Sequence, residues 1–276
     1  MESSQFSALL EFSKCNTNQL TREIGIVGIT ANWTVVFVQR RVSALQNSFG
    51  RLSATQALGD GIHSTIFSVL SMPQCSCCDD IKMLRENSQH IGFALLVCFD
   101  ISVFSHLFIS LNRFCAIFFP IKYEQIFNYF NTTIMIAFTL IVSVVSTFYF
   151  YEYEDCSLIH IDQLRLFAFA TTPTCVMISW YNAFLKSVSL VIFIVAVDVA
   201  TVVKVRLTNN QIYSDHKYSS RRRKNDINFL KQACMQAFLF VCDLLCNFIF
   251  TPLIPPGWIL FFMSMVVWES AHCLDG

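Results

Sequence analysis

IGFALLVCFDISVFSHLFISL, residues 91–111, is an apolar run in which Asp100 is the one residue with a formal charge. As an α-helix this run would be about 31 Å long, which matches the hydrocarbon core of a bilayer, about 30 Å thick. Its apolar residues do not alternate with polar ones, as they would in a strand of a membrane barrel. Backbone groups in hydrocarbon must satisfy their own hydrogen bonds, so the run predicts a membrane-spanning helix.

The composition of the whole chain also indicates a lipid environment. Of 276 residues, 14% are charged and 54% are hydrophobic, whereas a soluble domain has about 25% charged residues. The mean hydropathy is +0.52. So few charges cannot cover a soluble protein of this size, and we expect a lipid bilayer to surround much of the chain. The formal net charge of zero gives no indication of a nucleic-acid partner.

Six further apolar stretches, 15 to 26 residues long, have charged or proline boundaries like those of the run at 91–111. The expected fold is therefore an all-α membrane protein with a bundle of seven transmembrane helices. The last stretch almost reaches the end of the sequence, so we expect the seventh helix to be truncated near its end. The predicted spans are 24–38, 52–72, 91–111, 134–151, 187–205, 229–254 and 258–273.

Lysine and arginine predict the orientation of this bundle. Most of the 19 basic residues lie on the cytoplasmic side if the N-terminus is outside and the C-terminus inside, as the positive-inside rule requires. Residues 1–23 are then an extracellular N-terminus, and residues 152–186 form a long acidic outer loop. The basic run at 221–224 is expected to be a juxtamembrane loop and not a nucleic-acid patch.

Asp60 is the strongest functional signal among the polar residues of the predicted spans. It shares one helix face with Ser53, Gln56 and Ser64, because these residues recur at steps of three or four. Serine and glutamine on such a face usually form hydrogen bonds between helices. An uncompensated carboxylate in hydrocarbon costs several kcal/mol, so Asp60 needs a cation, a proton or a cluster of hydrogen-bond donors.

Short motifs in four spans resemble those of the rhodopsin-like receptors. The first span contains Gly28-x3-Asn32, and LSATQALGD in the second span ends at Asp60. Asn112-Arg113-Phe114 closes the third span, where that superfamily has Asp-Arg-Tyr. Phe250-Thr251-Pro252 lies in the sixth span, where it has Trp-x-Pro. Each motif alone is weak, but their order and spacing together form a strong signal.

A closer resemblance is to the nematode serpentine chemoreceptors of class X. It implies a G-protein-coupled receptor in the plasma membrane of sensory neurons. Its partners would be a small-molecule ligand, which is a chemical cue, and a heterotrimeric G protein. The segments that carry the resemblance are NSFGRLSATQALGD (47–60), HIGFALLVCFDISVFSHLFISLNRFCAIFFPIKYEQIF (90–127), ISWYNAFLK (178–186), FLKQACMQ (229–236) and WESAHCLDG (268–276).

The resemblance assigns roles to residues at the cytoplasmic side and in the sixth span. Arg113 would contact the G protein and act as the activation switch, with Asn112 in place of the usual acidic neighbour. That replacement puts a direct ion pair between these two neighbours in doubt. Phe250 would take the place of the tryptophan toggle above the helix kink at Pro252.

The resemblance also implies a central polar site. Ser102 lies eleven residues before Arg113, where the superfamily places a sodium-binding serine. Asp275 stands where an Asn-Pro pair is usual. With Asn32 and Asp60, these residues would hold a sodium ion or a proton, and we expect no other cofactor and no metal site.

Cysteines on the predicted outer side, where disulfides persist, offer several pairings. The superfamily's cysteine at the top of the third helix falls near Ser88, so its usual bridge is missing in that form. We expect a disulfide at Cys156. The alternatives for its partner are Cys175, Cys75, Cys77 and Cys78.

Other functions are less consistent with the sequence. The amine-binding position of aminergic receptors falls at Leu95, which disfavours a biogenic amine, and the final span has no lysine for a retinal Schiff base. No nucleophile, base and orienting group converge by motif, so an enzyme is not expected.

The sequence ends at Asp275-Gly276, so a non-functional truncated receptor is one alternative. The other is a transporter or ion pathway that uses Asp60, Asp100, Asp198, Asp243 and Glu269.

Overall fold

The computed structural model describes residues 2–70, 87–161, 166–211, 235–255 and 257–275, with most side chains from residue 20 onward. Within these ranges the fold is almost entirely helical and contains one two-stranded sheet. The first half consists of α1 (Glu2–Arg41), α2 (Ser48–Leu70), α3 (Ser88–Phe118), the short α4 (Tyr123–Ile126), and α5 (Tyr129–Thr147), which continues as π-helix over Phe148–Tyr153.

The second half begins with a hairpin of β1 (Leu158–Ile161) and β2 (Leu166–Phe169), which pair antiparallel with Leu158 opposite Phe169. Three composite helices follow. We call them α6 (Pro173–Ile178, π-helical Ser179–Leu185 and Lys186–Gln211), α7 (Met235–Leu253, π-helical over Cys246–Phe250 and 3₁₀ over Thr251–Leu253) and α8 (Trp258–Phe261, π-helical Phe262–Val266 and Val267–Asp275).

Helix α3 occupies the middle of the bundle. It packs against α2, α5 and α6, and it also contacts β1. Helix α2 packs against α1, and α8 contacts both α1 and α2. The approach of α1 to α2 requires a small residue at Gly28, because a Cβ there would lie 2.5 Å from Ser64 Oγ.

Helix α5 shows that the outside of the bundle is adapted to lipid. Its buried residues are polar and include Thr139 and Ser143. Its outward face carries large apolar side chains, and Phe138 and Ile141 are 52% and 61% exposed. This distribution is the reverse of that on a surface helix of a soluble protein, and it suits a helix whose outer face meets hydrocarbon.

Four of the described helices are long and apolar enough to cross a membrane: Ser88–Phe118, Tyr129–Tyr153, Pro173–Leu207 and Met235–Leu253. The helix Trp258–Leu274 is apolar but shorter. The predicted spans 24–38 and 52–72 lie largely within α1 and α2, which are long enough to cross a membrane but are not among the helices that are sufficiently apolar. The number of seven spans and the orientation of the termini therefore stay predictions.

The prediction of an outer loop over residues 152–186 is wrong for residues 173–186, which are helical. The side chain of Thr172 accepts a hydrogen bond from the Cys175 backbone N–H at 3.2 Å, and Pro173 follows in the first helical turn. A threonine cap followed by proline is a strong start signal, since proline lacks only a donor that the first turn leaves unused.

We expect Gly92→Ala to destabilise the protein by roughly 1–3 kcal/mol, although glycine to alanine within a helix is ordinarily stabilising. A Cβ at this position would collide with the backbone carbonyl of Leu158, which cannot move unless β1 lifts from α3. The measurement is the melting temperature of the purified protein. Gly61→Ala is the control, because its nearest neighbour is a Trp33 side-chain atom at 3.3 Å. Equal effects of the two changes would contradict close packing of the hairpin on α3.

Candidate functional site

A cavity of about 370 Å³ lies between the β-hairpin and helices α3, α6, α7 and α8. Aromatic side chains from each of these elements form much of its wall. This volume and lining are typical of sites for small molecules, which are mostly apolar with a few placed polar groups. The aromatic lining residues are Phe99, Phe167, Phe169, Trp180, Phe248 and Trp268.

The polar part of this cavity comes mainly from α7. Asp243 lines the cavity and is only 3% exposed. The Asn247 side-chain nitrogen donates hydrogen bonds to Asp243, at 2.8 Å to Oδ1 and 3.1 Å to the backbone oxygen. The carboxylate therefore lies in the wall with an amide beside it.

A disulfide between Cys156 and Cys175 holds the hairpin over the cavity. Both cysteines are fully buried, and the bond connects the chain just before β1 to the first turn of α6. This is one of the pairings expected for Cys156. The other three candidates, Cys75, Cys77 and Cys78, lie outside the described residues.

A cluster of four ionisable side chains lies between α2 and α8, and we call it the central cluster. Asp60 Oδ1 is 2.6 Å from His272 Nδ1, and His63 Nδ1 is 3.2 Å from Glu269 Oε2. The two imidazole rings lie 3.9 Å apart. None of the four residues is more than 1% exposed, so opposite charge or a shared proton must offset their burial.

Aromatic contacts connect the cavity to the central cluster. Trp268 lines the cavity and meets the His63 ring edge-on, with centroids 5.0 Å apart. Phe99 also lines the cavity and meets the His272 ring edge-on at 6.0 Å. A change in the cavity wall can therefore reach the central cluster through direct packing.

The predicted central residues lie partly within this cluster. Asn32 on α1 donates to the His272 backbone oxygen at 3.1 Å, and Asp60 bonds to His272. Ser102 is fully buried on α3, and its hydroxyl makes no hydrogen bond within the part of the chain that the structure describes. The side chain of Asp275 lies outside the described part.

Sequence reasoning missed the two histidines and the pairing of Glu269. A usable signal was present, because Asp60-x2-His63 and Glu269-x2-His272 have the same spacing of three. That spacing places an acid and an imidazole on one face of each helix. In the structure each acid pairs with the histidine of the other helix, so the spacing alone did not identify the partners.

At the far end of α3, Arg113 meets an acidic residue of α6. Its Nη1 is 3.8 Å from Asp198 Oδ1, and the Ser110 hydroxyl donates to the same oxygen at 2.9 Å. Asn112 instead hydrogen-bonds to the hydroxyl of Tyr123 on α4, 3.2 Å away. The acidic partner that the sequence motif lacks at position 112 is thus supplied by a helix distant in sequence.

Of the two predicted toggle residues, Pro252 lines the cavity and Phe250 does not. Pro252 lines the cavity in the 3₁₀ turn that ends α7. Phe250 is 46% exposed and is not among the lining residues, whereas Phe248 is.

Lys186 on α6 reaches both carboxylate oxygens of Asp100 on α3 at 2.8 Å, a contact that sequence reasoning also missed.

This arrangement of helices has the fold of the rhodopsin-like receptors. It superimposes on the crystal structure of squid rhodopsin with a TM-score of 0.68 at 15% sequence identity. The match covers 95% of this chain and 75% of that chain. At this identity the likeness establishes the fold alone.

Sequence comparison gives the family. The chain belongs to the family of the serpentine type 7TM GPCR chemoreceptor Srx, whose model matches residues 23–276. It is 30% identical over 269 residues to serpentine receptor class X 45 of Caenorhabditis elegans, covering 91% of this chain and 73% of the relative. It is also 30% identical over 206 residues to serpentine receptor class X-43 of the same organism, covering 73% of this chain and 62% of that relative.

Proposed function

We propose that this protein is a chemosensory G-protein-coupled receptor that binds a small chemical cue and activates a heterotrimeric G protein. The observation that carries the proposal is the arrangement along α3. Phe99 lines the cavity, and Arg113 follows fourteen residues later on the same helix, about 21 Å away. A ligand site and an effector site on one rigid helix are what a signalling receptor needs.

In this proposal the cavity opens towards the outside and Arg113 faces the cytoplasm. The chain crosses the plasma membrane of a sensory neuron seven times, with the N-terminus outside. The disulfide at the hairpin supports this orientation, because disulfides persist on the extracellular side. The family resemblance supports the location in neurons.

Activation would be a shift between two arrangements of the helices. A ligand in the cavity presses on Phe99 and Trp268, which contact the imidazole rings of the central cluster. Movement of α3 against α6 would then separate Arg113 from Asp198 and expose the arginine to the G protein. Such a change is typical of switches in which a buried ion pair holds one of two packings.

The direct test is nucleotide exchange on purified G-protein heterotrimers by the full-length protein in lipid vesicles. We expect exchange above that with empty vesicles, and Arg113→Ala should remove it because the contact residue is lost. Heterotrimers of each α-subunit class are tested in parallel. A protein that folds but accelerates no exchange, even when its Arg113–Asp198 contact is broken by mutation, would contradict the proposal.

A transporter or ion pathway is the second candidate, and the intramembrane carboxylates motivate it. Asp100 is held by Lys186, Asp198 lies beside Arg113, and Asp60 bonds to His272. Each of these carboxylates thus has its own partner, two between α3 and α6 and one between α2 and α8, which suits structural contacts better than a continuous relay. A steady current across the same vesicles would favour this candidate.

For the central cluster we propose a shared proton and not a sodium ion. Sodium prefers oxygen ligands, but the nearest partner of Asp60 is the His272 ring nitrogen, which a sodium ion would have to displace. A proton between Asp60 and His272 neutralises the buried carboxylate without such a displacement.

Asp60→Asn and His272→Gln should each destabilise the protein by roughly 2 kcal/mol, and the double variant by little more than either alone, because both remove the same interaction. The measurement is a double-mutant cycle of melting temperatures in detergent. Exchange of sodium for potassium or choline should leave the wild-type melting temperature unchanged. Stabilisation by sodium that Asp60→Asn abolishes would contradict the shared proton.

A further inference from the structure

A smaller cavity lies between α3, α6 and α7, beside the contact of Arg113 with Asp198, and we call it the small cavity. Its volume is about 20 Å³, and about 10–15 Å³ is enough for one water molecule. We propose that it binds a single structural water that bridges Arg113 and Asp198 and brings Gln236 of α7 into the same contact. In its effect on signalling the inference rests on the proposed function, since it adds a third helix to the contact that restrains activation.

The two charged side chains are too far apart for a direct hydrogen bond. Arg113 Nη1 lies 3.8 Å from Asp198 Oδ1, whereas a direct bond between such groups spans about 2.7–2.9 Å. A water that bridges two polar groups is enthalpically nearly as good as a direct hydrogen bond. A water that accepts from the guanidinium and donates to the carboxylate would complete this contact.

The carboxylate of Asp198 needs a further hydrogen-bond donor. Asp198 is 5% exposed, and an ionised carboxylate has about four sites that accept hydrogen bonds. The Ser110 hydroxyl fills one of these sites at 2.9 Å, and no other side chain in the described part of the chain donates to this carboxylate. Because an incompletely bonded carboxylate is costly away from bulk water, a cavity of this size beside it favours a bound water.

The lining of the small cavity suits a water molecule. Its polar residues are His106, Ser110 and Arg113 on α3, Asp198 on α6 and Gln236 on α7. Cavities that stay dry have apolar linings, whereas a buried water needs about two to four polar partners. Gln236 is 6% exposed, and its amide can donate to the water or accept from it. The water therefore has partners on three helices.

This arrangement connects α7 to the ion pair between α3 and α6. Gln236 and Phe240 line the small cavity, and Phe248 on the same helix lines the cavity of about 370 Å³. A ligand that displaces α7 would therefore open the small cavity, release the water and weaken the contact between Arg113 and Asp198. The ligand site can thus act on Arg113 through α7 as well as along α3.

The direct test is a high-resolution map of the inactive full-length protein in lipid nanodiscs. We expect a density peak within about 2.7–3.2 Å of both the Asp198 carboxylate and the Arg113 guanidinium. A small cavity without this peak, or a direct hydrogen bond between the two side chains, would overturn the inference.

Ala237→Val distinguishes a water-filled cavity from a dry one. Ala237 lines the small cavity, so two added methyl groups would occupy the space of the water. Filling a dry cavity stabilises a protein, whereas displacement of the water would leave the Asp198 carboxylate without that donor. We expect the melting temperature of the purified protein to fall by about 3 °C and basal nucleotide exchange to rise about threefold. An unchanged or higher melting temperature would overturn the inference.

Ala196→Val is the matched control, because Ala196 is exposed on α6 and the substitution adds the same atoms. It carries the same small loss of helix propensity and should leave basal exchange unchanged.

Combination with Asp198→Asn excludes over-packing as the cause. If Ala237→Val acts through the bridge, it should add little to the exchange rate of Asp198→Asn, in which the bridged ion pair is already lost. Gln236→Leu removes the amide but keeps an apolar side chain of similar size, and it should behave in the same way. If either substitution raised the rate by the same factor in both backgrounds, the bridge would be excluded.

Failure of this inference is distinguishable from failure of the proposed function. The map and the melting temperatures report on the water without any signalling step. A water at the expected place in a protein that accelerates no exchange would support the bridge and contradict the receptor function. A dry cavity in a protein that accelerates exchange would overturn the bridge and leave the receptor function standing.

Discussion

Asp198→Asn should raise the basal rate of G-protein nucleotide exchange roughly tenfold, which corresponds to about 1.4 kcal/mol of lost bias towards the inactive arrangement. The 3.8 Å contact between Arg113 and Asp198 connects α3 to α6, and the Asp198 side chain is buried. Removing its charge weakens the contact that holds Arg113 inside the bundle. Arg113 itself is retained and can still reach the G protein.

Ser110→Ala provides a graded comparison, because it removes the hydrogen bond to Asp198 but leaves both charges. Its basal rate should lie between those of the wild type and Asp198→Asn. The measurement is exchange per receptor molecule, with equal amounts of protein at the membrane surface. An unchanged basal rate in Asp198→Asn would show that this ion pair does not restrain activation.

Lys186→Met should destabilise the protein by about 3 kcal/mol, because it leaves the carboxylate of Asp100 buried without its cation. Lys186 Nζ lies 2.8 Å from both carboxylate oxygens, and Asp100 is 5% exposed. Its other partner is the Ser146 hydroxyl at 3.3 Å, which cannot neutralise the charge. The measurement is the shift in melting temperature of the purified protein in detergent.

Two controls separate the loss of the pair from the loss of a lysine. Lys204→Met lies on the same helix at an exposed position, and its effect should stay within about 0.5 kcal/mol. The double variant Asp100→Leu/Lys186→Met removes both charges and should recover much of the lost stability. A double variant as unstable as Lys186→Met would contradict the interpretation of an unpaired buried charge.

The helical fold and the family could be predicted from the sequence. The run at 91–111 lies within α3, and the motifs around Asp60 and Arg113 lead to the same receptor family as the comparison over residues 23–276. The extent of α6 could not be read, because its first turns, Pro173–Ile178, are short, and the polar and aromatic residues of Ser179–Leu185 separate them from the apolar run at 187–205. Their helicity depends on Thr172, on Pro173 and on packing beneath the hairpin.

The candidate sites were predictable only in part. Asp60 and Arg113 stood out because a charge within or beside an apolar span is costly and therefore conspicuous. Their partners did not stand out, since Asp198 and His272 lie 85 and 212 residues away in the chain. Asp243 carried no motif, and its place in the cavity wall depends on how α7 is rotated towards α3 and α8.

The sequence by itself determined that the chain forms apolar helices with a few costly charges inside them. The reason is local, because the length and apolarity of a segment decide whether its backbone can satisfy its own hydrogen bonds in lipid. The tertiary structure alone decided which charges meet, as with Arg113 and Asp198, and which residues line the cavity. Those contacts depend on the rotation and register of whole helices against each other, which many weak packing interactions set together.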